Sequence, residues 1–223
     1  MRTATVEIRG ELLELLPEKA VWWAGRHALV LSDTHFGKVT HFRRNGLYVP
    51  SSAKLETIKR LEWLIVKYQP ETVFVLGDLF HSASNEETQD VMDLLARHPE
   101  IRFVVVIGNH DRHHEPLLEK LGWESVYEWE EGPFTFVHEP QSIDGRYVLA
   151  GHIHPAVRLQ GKGRQRLKRP CFHFGDMLGV LPAFGEFTGT YVIEPQKSDT
   201  IGVCLEDEIW LISSESPLDD GLG

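Results

Sequence analysis

Side chains that can bind divalent metal ions come directly after apolar runs at five places in this chain. The runs are "LVLSDTH", "VFVLGDLFH", "VVVIGNHD", "FTFVHEP" and "YVLAGHIHP". Loops at strand ends are where a rigid scaffold presents functional groups, so we expect a shared site there. The metal-ligand candidates are Asp33, His35, Asp78, Asn109, His138, His152 and His154.

The spacing of these candidates indicates how they are aimed. Residues i and i+2 of a strand point to the same side. We therefore expect Asp33 with His35, and His152 with His154, each to direct two ligands at one site. Glycine precedes three of the candidates and permits a sharp turn off the strand.

The size and chemistry of the ligand set predict two metal ions. Seven ligands exceed the three or four of a catalytic zinc site, and mixed imidazole, carboxylate and amide groups favour manganese, iron or zinc over calcium. Two dications, the carboxylates of Asp33 and Asp78, and one bridging hydroxide leave a charge of about +1, which matches a phosphodiester. The set therefore predicts hydrolysis of phosphate diesters.

The elements that must position these residues form an α/β pattern. Helical periodicity after Ser51 and a capping box at Ser84 predict two helices, and hairpin signals continue from Ser125. We expect two sheets packed face to face with helices outside. The earlier predicted strands are 4–9, 20–24, 27–33, 72–76 and 102–107.

Composition sets limits on the class of protein. The net charge of −10 argues against a protein that coats nucleic acid non-specifically, and the apolar runs are too short to cross a bilayer. The N-terminus lacks the apolar core of a signal peptide, so we expect a cytoplasmic protein with reduced cysteines. We expect one domain over residues 1–212 and a disordered acidic tail over residues 213–223.

The five motifs together resemble those of the calcineurin-like metallophosphoesterases over roughly residues 27–180. That resemblance implies a four-layer αββα sandwich of two mixed sheets with a dinuclear metal site. It further implies that His110 protonates or stabilises the leaving oxygen. It assigns one ion to Asp33, His35, Asp78 and His154, and the other to Asp78, Asn109, His138 and His152.

One position departs from the family pattern. Many members have a second Asp where this chain has His81, and that Asp supports the catalytic His. An imidazole cannot supply the same negative charge. We expect His81 either to contact substrate or solvent, or to have a structural role.

Two basic segments are candidates for substrate binding. The loop after the first motif contains Lys38, His41, Arg43 and Arg44, and guanidinium groups bind phosphate bidentately. The segment "RLQGKGRQRLKR" contains Arg164 and Arg166 and predicts a hairpin tip that contacts nucleic acid. A solvated hairpin is the alternative.

Within the family, "SDTHFGKVTHFRRNGLYVP" and "LPAFGEFTG" resemble the ligase-associated DNA damage response endonucleases. This resemblance implies manganese-dependent cleavage of DNA and a functional association with a DNA ligase, a helicase and an exonuclease. The alternative enzyme is a phosphodiesterase or pyrophosphatase for small nucleotides or nucleotide-linked lipid intermediates. A non-catalytic scaffold is the other alternative, but the complete ligand set argues against it.

Overall fold

The computed structural model describes residues 1–38, 46, 53–81, 85–160, 166–186 and 188–212. Within these ranges two sheets pack face to face. Helices α1 (Ala53–Tyr68), α2 (Asn85–Arg97) and α3 (Glu115–Lys120) connect strands of the first sheet. None of the helices in the described ranges has the length and apolar character that crossing a bilayer requires.

The first sheet follows chain order, and its strand pairing changes from antiparallel to parallel once along that order. Its first three pairings are antiparallel and its last three are parallel. The strands that the described residues contribute are β1 (Ala4–Ile8), β2 (Glu11–Leu16), β3 (Ala20–Trp23), β4 (Ala28–Leu31), β5 (Thr72–Val75), β6 (Arg102–Val106) and β7 (Glu124–Val126).

The second sheet is mixed, and its strands in the described ranges are β8 (Trp129–Glu131), β9 (Phe134–Phe136), β10 (Tyr147–Ala150), β11 (Pro155–Gln160), β12 (Arg166–Phe174), β13 (Leu178–Val180), β14 (Tyr191–Val192), β15 (Thr200–Cys204) and β16 (Ile209–Ile212). The strand order is β14-β11-β12-β13-β10-β9-β8, with β15 joined to β12 and β16 joined to β15.

Two apolar cores hold these layers together. One lies between the helices and the first sheet, where Leu61 of α1 and Leu94 of α2 pack on β4 to β6. The other lies between the sheets and includes Phe74, Phe136 and Phe172. Strands β4, β5 and β6 are covered on both faces, which explains their nearly continuous apolar sequences. The predicted α/β fold of two mixed sheets with outer helices is confirmed.

Strand β2 was not predicted from the sequence. Its residues "ELLELL" do not alternate strictly, yet β2 pairs with β1 over five residue pairs. Arg9 and Gly10, with φ of 53° and 81°, make a two-residue turn of the kind that joins antiparallel strands. The serines proposed to start the two long helices and the tail over 213–223 lie outside the described residues.

Candidate metal centre

The carboxyl ends of the parallel strands place the predicted ligands at one edge of the molecule. Leu31, Val75 and Val105 lie opposite one another near the ends of β4, β5 and β6. Pairing continues past the strands, because the amide of Asp33 donates to Gly77 and that of His35 donates to Asp78. The two ligand-bearing loops are therefore fixed against each other.

Six of the seven predicted ligands form two donor groups. Within each group the candidate ligand atoms lie within 4.8 Å of one another. Two members of each group are buried, whereas His154 of the first group is partly exposed and His152 of the second group is exposed. The first donor group is Asp33, His35 and His154, and the second donor group is Asp78, His138 and His152.

Asp78 belongs to the second donor group and also faces the first. Its Oδ1 is 3.5 Å from Nε2 of His138, and its Oδ2 is 4.0 Å from Nε2 of His35. One carboxylate oxygen thus faces each group. This placement fits a carboxylate shared by two metal ions.

The backbone at the ligands adopts an uncommon conformation. Five of the candidates have positive φ: Asp33 at 51°, His35 at 45°, Asp78 at 52°, His152 at 66° and His154 at 53°. Non-glycine residues rarely occupy this region, and such strain concentrates at functional sites.

This geometry corrects the strand-based expectation for the paired ligands. Strand β4 ends at Leu31 and β10 ends at Ala150, so neither pair lies on an extended strand. His152 and His154 belong to different donor groups, which is the distribution that the family resemblance implied. The premise that each pair lies on a strand was therefore wrong, although Asp33 and His35 share a donor group.

Three glycines make room for the ligand side chains. A Cβ on Gly77 would lie 2.0 Å from Nδ1 of His138, and a Cβ on Gly151 would lie 2.5 Å from Oδ2 of Asp33. At Gly108 the corresponding distance to Oδ1 of Asp78 is 2.4 Å. The glycine in each motif is a steric requirement of the site.

Backbone carbonyls fix the orientation of two imidazoles. Nδ1 of His138 lies 3.0 Å from the carbonyl oxygen of Leu76, and Nδ1 of His154 lies 3.0 Å from that of Gly189. A protonated Nδ1 donates in each contact and leaves Nε2 to face the site. Metal-binding histidines commonly have such a carbonyl partner.

Buried donor atoms in the first group fit a cation. Both ring nitrogens of His35 have no hydrogen-bond partner among the described residues, and Oδ1 of Asp33 lies 3.2 Å from Nε2 of His154. Buried polar atoms left unpaired cost about 1–3 kcal/mol each. Burial lowers the pKa of His35 to about 3, so its imidazole is neutral and offers a lone pair.

Asn109 and His110 belong to the loop after β6, which contacts Asp78 of the second donor group through His110. The amide nitrogen of Asn109 donates to Oε1 of Glu139 at 2.6 Å. The backbone amide of His110 donates to Oδ1 of Asp78, and its Nε2 is 4.0 Å from Oδ2 of Asp78. The His110 side chain is about half exposed, so a bound substrate can reach it.

Some of the predicted substrate contacts also lie here. Lys38 is half-buried, and burial lowers its pKa although Asp33 and Asp78 act in the opposite direction. The ring of His81 lies 5.2 Å from that of His110. Arg166 is exposed on β12 and pairs across the hairpin with Gln160. His41, Arg43, Arg44 and Arg164 lie outside the described residues.

Asp111 positions the site, and the sequence interpretation gave it no role. It is fully buried, and its carboxylate accepts from the backbone amides of Gly108 and Phe80. Asp111 therefore ties the loop after β6 to the loop after β5. Its place in the "GNHD" motif was the available signal.

The fold and the paired donor groups define a metallophosphoesterase, a hydrolase of phosphoric esters. Residues 27–178 match the model of the calcineurin-like phosphoesterases, and the chain belongs to that family.

Two known proteins extend this assignment. The chain superimposes on the crystal structure of Pseudomonas putida nuclease MPE with a TM-score of 0.81 and 32% identity, covering 95% of this chain and 100% of that one. It is 34% identical over 108 residues to Metallophosphoesterase 1 of Danio rerio, a match that covers 42% of this chain and 26% of the relative. The chain thus spans about a quarter of that relative's length.

Proposed function

We propose that this protein is a nuclease that hydrolyses phosphodiester bonds in DNA with two divalent ions, which are manganese as the resemblance to the ligase-associated endonucleases implies. The observation that carries the proposal is the position of the Asp78 carboxylate, because one of its oxygens faces His138 and the other faces His35. Support also comes from the similar Pseudomonas putida nuclease. A role in DNA repair beside a ligase, a helicase and an exonuclease belongs to the same proposal.

Each part of the site has a task in this reaction. When bound, two divalent ions supply an activated water and neutralise charge at the phosphate. Asp33, His35 and His154 would hold one ion, Asn109, His138 and His152 would hold the other, and Asp78 would serve both. His110, half exposed beside Asp78, protonates or stabilises the departing oxygen.

The β11–β12 hairpin favours a polyanionic substrate. Arg158 and Lys168 lie opposite each other, and Arg166 lies two residues from Lys168, so all three share one face. All three side chains are exposed. Strand β11 begins directly after His154, so this basic face leads away from the site by about 3.3 Å per residue.

The test compares substrates on one enzyme. Purified wild type with Mn²⁺ should cleave plasmid and oligonucleotide DNA and a chromogenic phosphodiester, and Asp78→Asn should lose both activities. Asp144→Asn, an exposed carboxylate, is the matched control. Turnover of cyclic nucleotides or nucleotide diphosphate conjugates without any DNA cleavage would reject DNA as the substrate.

A further inference from the structure

Among the contacts of the described residues, the side-chain amide of Asn109 has a hydrogen-bond partner at its NH₂ group but not at its carbonyl oxygen. Its nitrogen donates to Oε1 of Glu139 at 2.6 Å. A carboxylate accepts but cannot donate, so it selects the NH₂ end of the amide. The carbonyl oxygen of Asn109 is thereby turned away from Glu139.

Glu139 joins two segments that lead into the second donor group. It directly follows His138, whereas Asn109 belongs to the loop after β6. The Glu139 side chain is exposed and belongs to none of the apolar cores. Its contact with Asn109 is therefore the feature that gives this glutamate a role.

We propose that Glu139 is a positioning residue for the second metal ion, acting through Asn109. Its carboxylate holds the amide so that the carbonyl oxygen faces Asp78, His138 and His152. An amide that turns over presents NH₂, which has no lone pair for a cation. The inference rests on the metal centre of the proposed function and not on its DNA substrate.

The first experiment measures metal binding in the absence of substrate. Metal-stripped protein is titrated with Mn²⁺ by calorimetry, and bound metal is counted after desalting. Glu139→Ala should weaken one of two sites about 10-fold or more, the range for loss of a ligand-orienting partner, and leave the other unchanged. Glu139→Gln should recover part of the affinity, because its amide oxygen can accept from Asn109 but its NH₂ can also donate to the carbonyl oxygen of Asn109.

The matched control and a double variant separate orientation from other effects. Glu128→Ala removes another exposed glutamate and should bind Mn²⁺ like wild type. In an Asn109→Ala background, Glu139→Ala should cost nothing further, because the residue through which it acts is gone.

Four outcomes would overturn the proposal. These are unchanged binding in Glu139→Ala, equal weakening by Glu139→Gln and Glu139→Ala, additive losses in the double variant, and loss of both sites together. Equal weakening would instead make the carboxylate a direct ligand. Because no substrate is present, a failed DNA cleavage assay leaves this test intact.

Discussion

At the scale of single residues, the site depends on close contact between glycines and acidic ligands. Gly151 lies against Asp33, and the backbone amide of the following His152 donates to Oδ2 of Asp33 at 3.0 Å. The buried carboxylate is thus held by a neighbour that has no side chain. Any side chain at position 151 would therefore collide with Asp33, even one without polar groups.

We predict that Gly151→Ala disrupts the first donor group. The added Cβ would lie 2.5 Å from Oδ2 of Asp33 and 2.9 Å from the carbonyl oxygen of Leu76, so Asp33 must move. Overpacking of this kind costs about 1–3 kcal/mol. Mn²⁺ stoichiometry should fall while the far-ultraviolet circular dichroism spectrum stays native.

Gly175→Ala is the control for this prediction. A Cβ on Gly175 would make an ordinary contact of 3.4 Å with Oδ1 of Asp199, away from the donor groups. Full metal occupancy in Gly151→Ala would contradict the steric argument.

Sequence patterns predicted which residues form the donor groups but not the backbone conformation that orients their side chains. Apolar runs followed by metal-binding residues predicted Asp33, His35 and Asp78 as ligands. Positive φ at these ligands depends on contacts between distant loops, which strand periodicity does not contain. The contact between Glu139 and Asn109 was missed for the same reason, since the two residues are 30 positions apart.

At the scale of elements, the loop after β13 connects helix α1 to the site. The amides of Phe184 and Gly185 donate to the carbonyls of Ser32 and Asp33. Glu186 of the same loop forms ion pairs with Arg60 of α1 and with Lys19. Arg60 also lies over the ring of Phe184, 4.4 Å from its centroid.

We predict that Glu186→Gln destabilises the fold by about 1 kcal/mol, a value reduced for partial exposure. Burial acts to raise the pKa of Glu186, but Lys19 and Arg60 outweigh it and hold that pKa below its ordinary value. The ionised form is therefore favoured in the folded state. Urea unfolding of both proteins at neutral pH measures the difference.

The pH dependence of this difference has a defined sign. Since the folded-state pKa is lowered, the stabilisation is complete above the unfolded-state value of about 4.3 and is lost as pH falls through the folded-state pKa. Glu194→Gln, at an exposed position, should show no such dependence. If the free energies of unfolding of wild type and Glu186→Gln still differ by the same amount in strong acid, the effect arises from packing and not from charge.

The β11–β12 hairpin supplies a second prediction at this scale. Replacing Arg158, Arg166 and Lys168 by Gln should weaken binding of DNA and flatten its salt dependence. Loss of up to three phosphate contacts reduces the slope of log K against log salt by about 2–3. Binding to labelled duplex DNA over a salt series measures this slope.

Controls for the hairpin prediction use other exposed cations and another substrate. Gln at Lys59, Lys120 and Lys197 removes the same charge from other surfaces and should leave the slope nearly unchanged. Hydrolysis of a small chromogenic diester should be equal in all three proteins. If both triple variants change the slope of log K against log salt equally, DNA binding depends on net charge and not on the hairpin.

At the scale of the whole molecule, the sequence predicted the layers better than their connections. Buried strands such as β5 and β6 were predicted because both faces are apolar. Strand β2 was missed because its leucines fit no strict alternation, and only pairing with β1 and β3 explains it. Long-range pairing lies beyond any local pattern.

The metal centre also joins segments that are distant in the chain. The loops after β4, β5 and β6 of the first sheet contribute Asp33, Asp78 and Asn109. The second sheet contributes His138 from the loop after β9 and His154 from the turn before β11. Ions bound at these residues would link the two sheets in the folded state. Because an unfolded chain holds no such site, metal binding and folding stability are coupled.

We therefore predict that removing metal lowers the melting temperature. Mn²⁺ at about 100 times the dissociation constant of one site contributes about 2.7 kcal/mol. For a chain of this size that corresponds to about 5–10 °C, which calorimetric scans with Mn²⁺ and with a chelator should reveal. Asp78→Asn should melt at nearly the same temperature in both, because it lacks the carboxylate shared by the two groups. A shift of equal size in that variant would place the stabilising metal at another site.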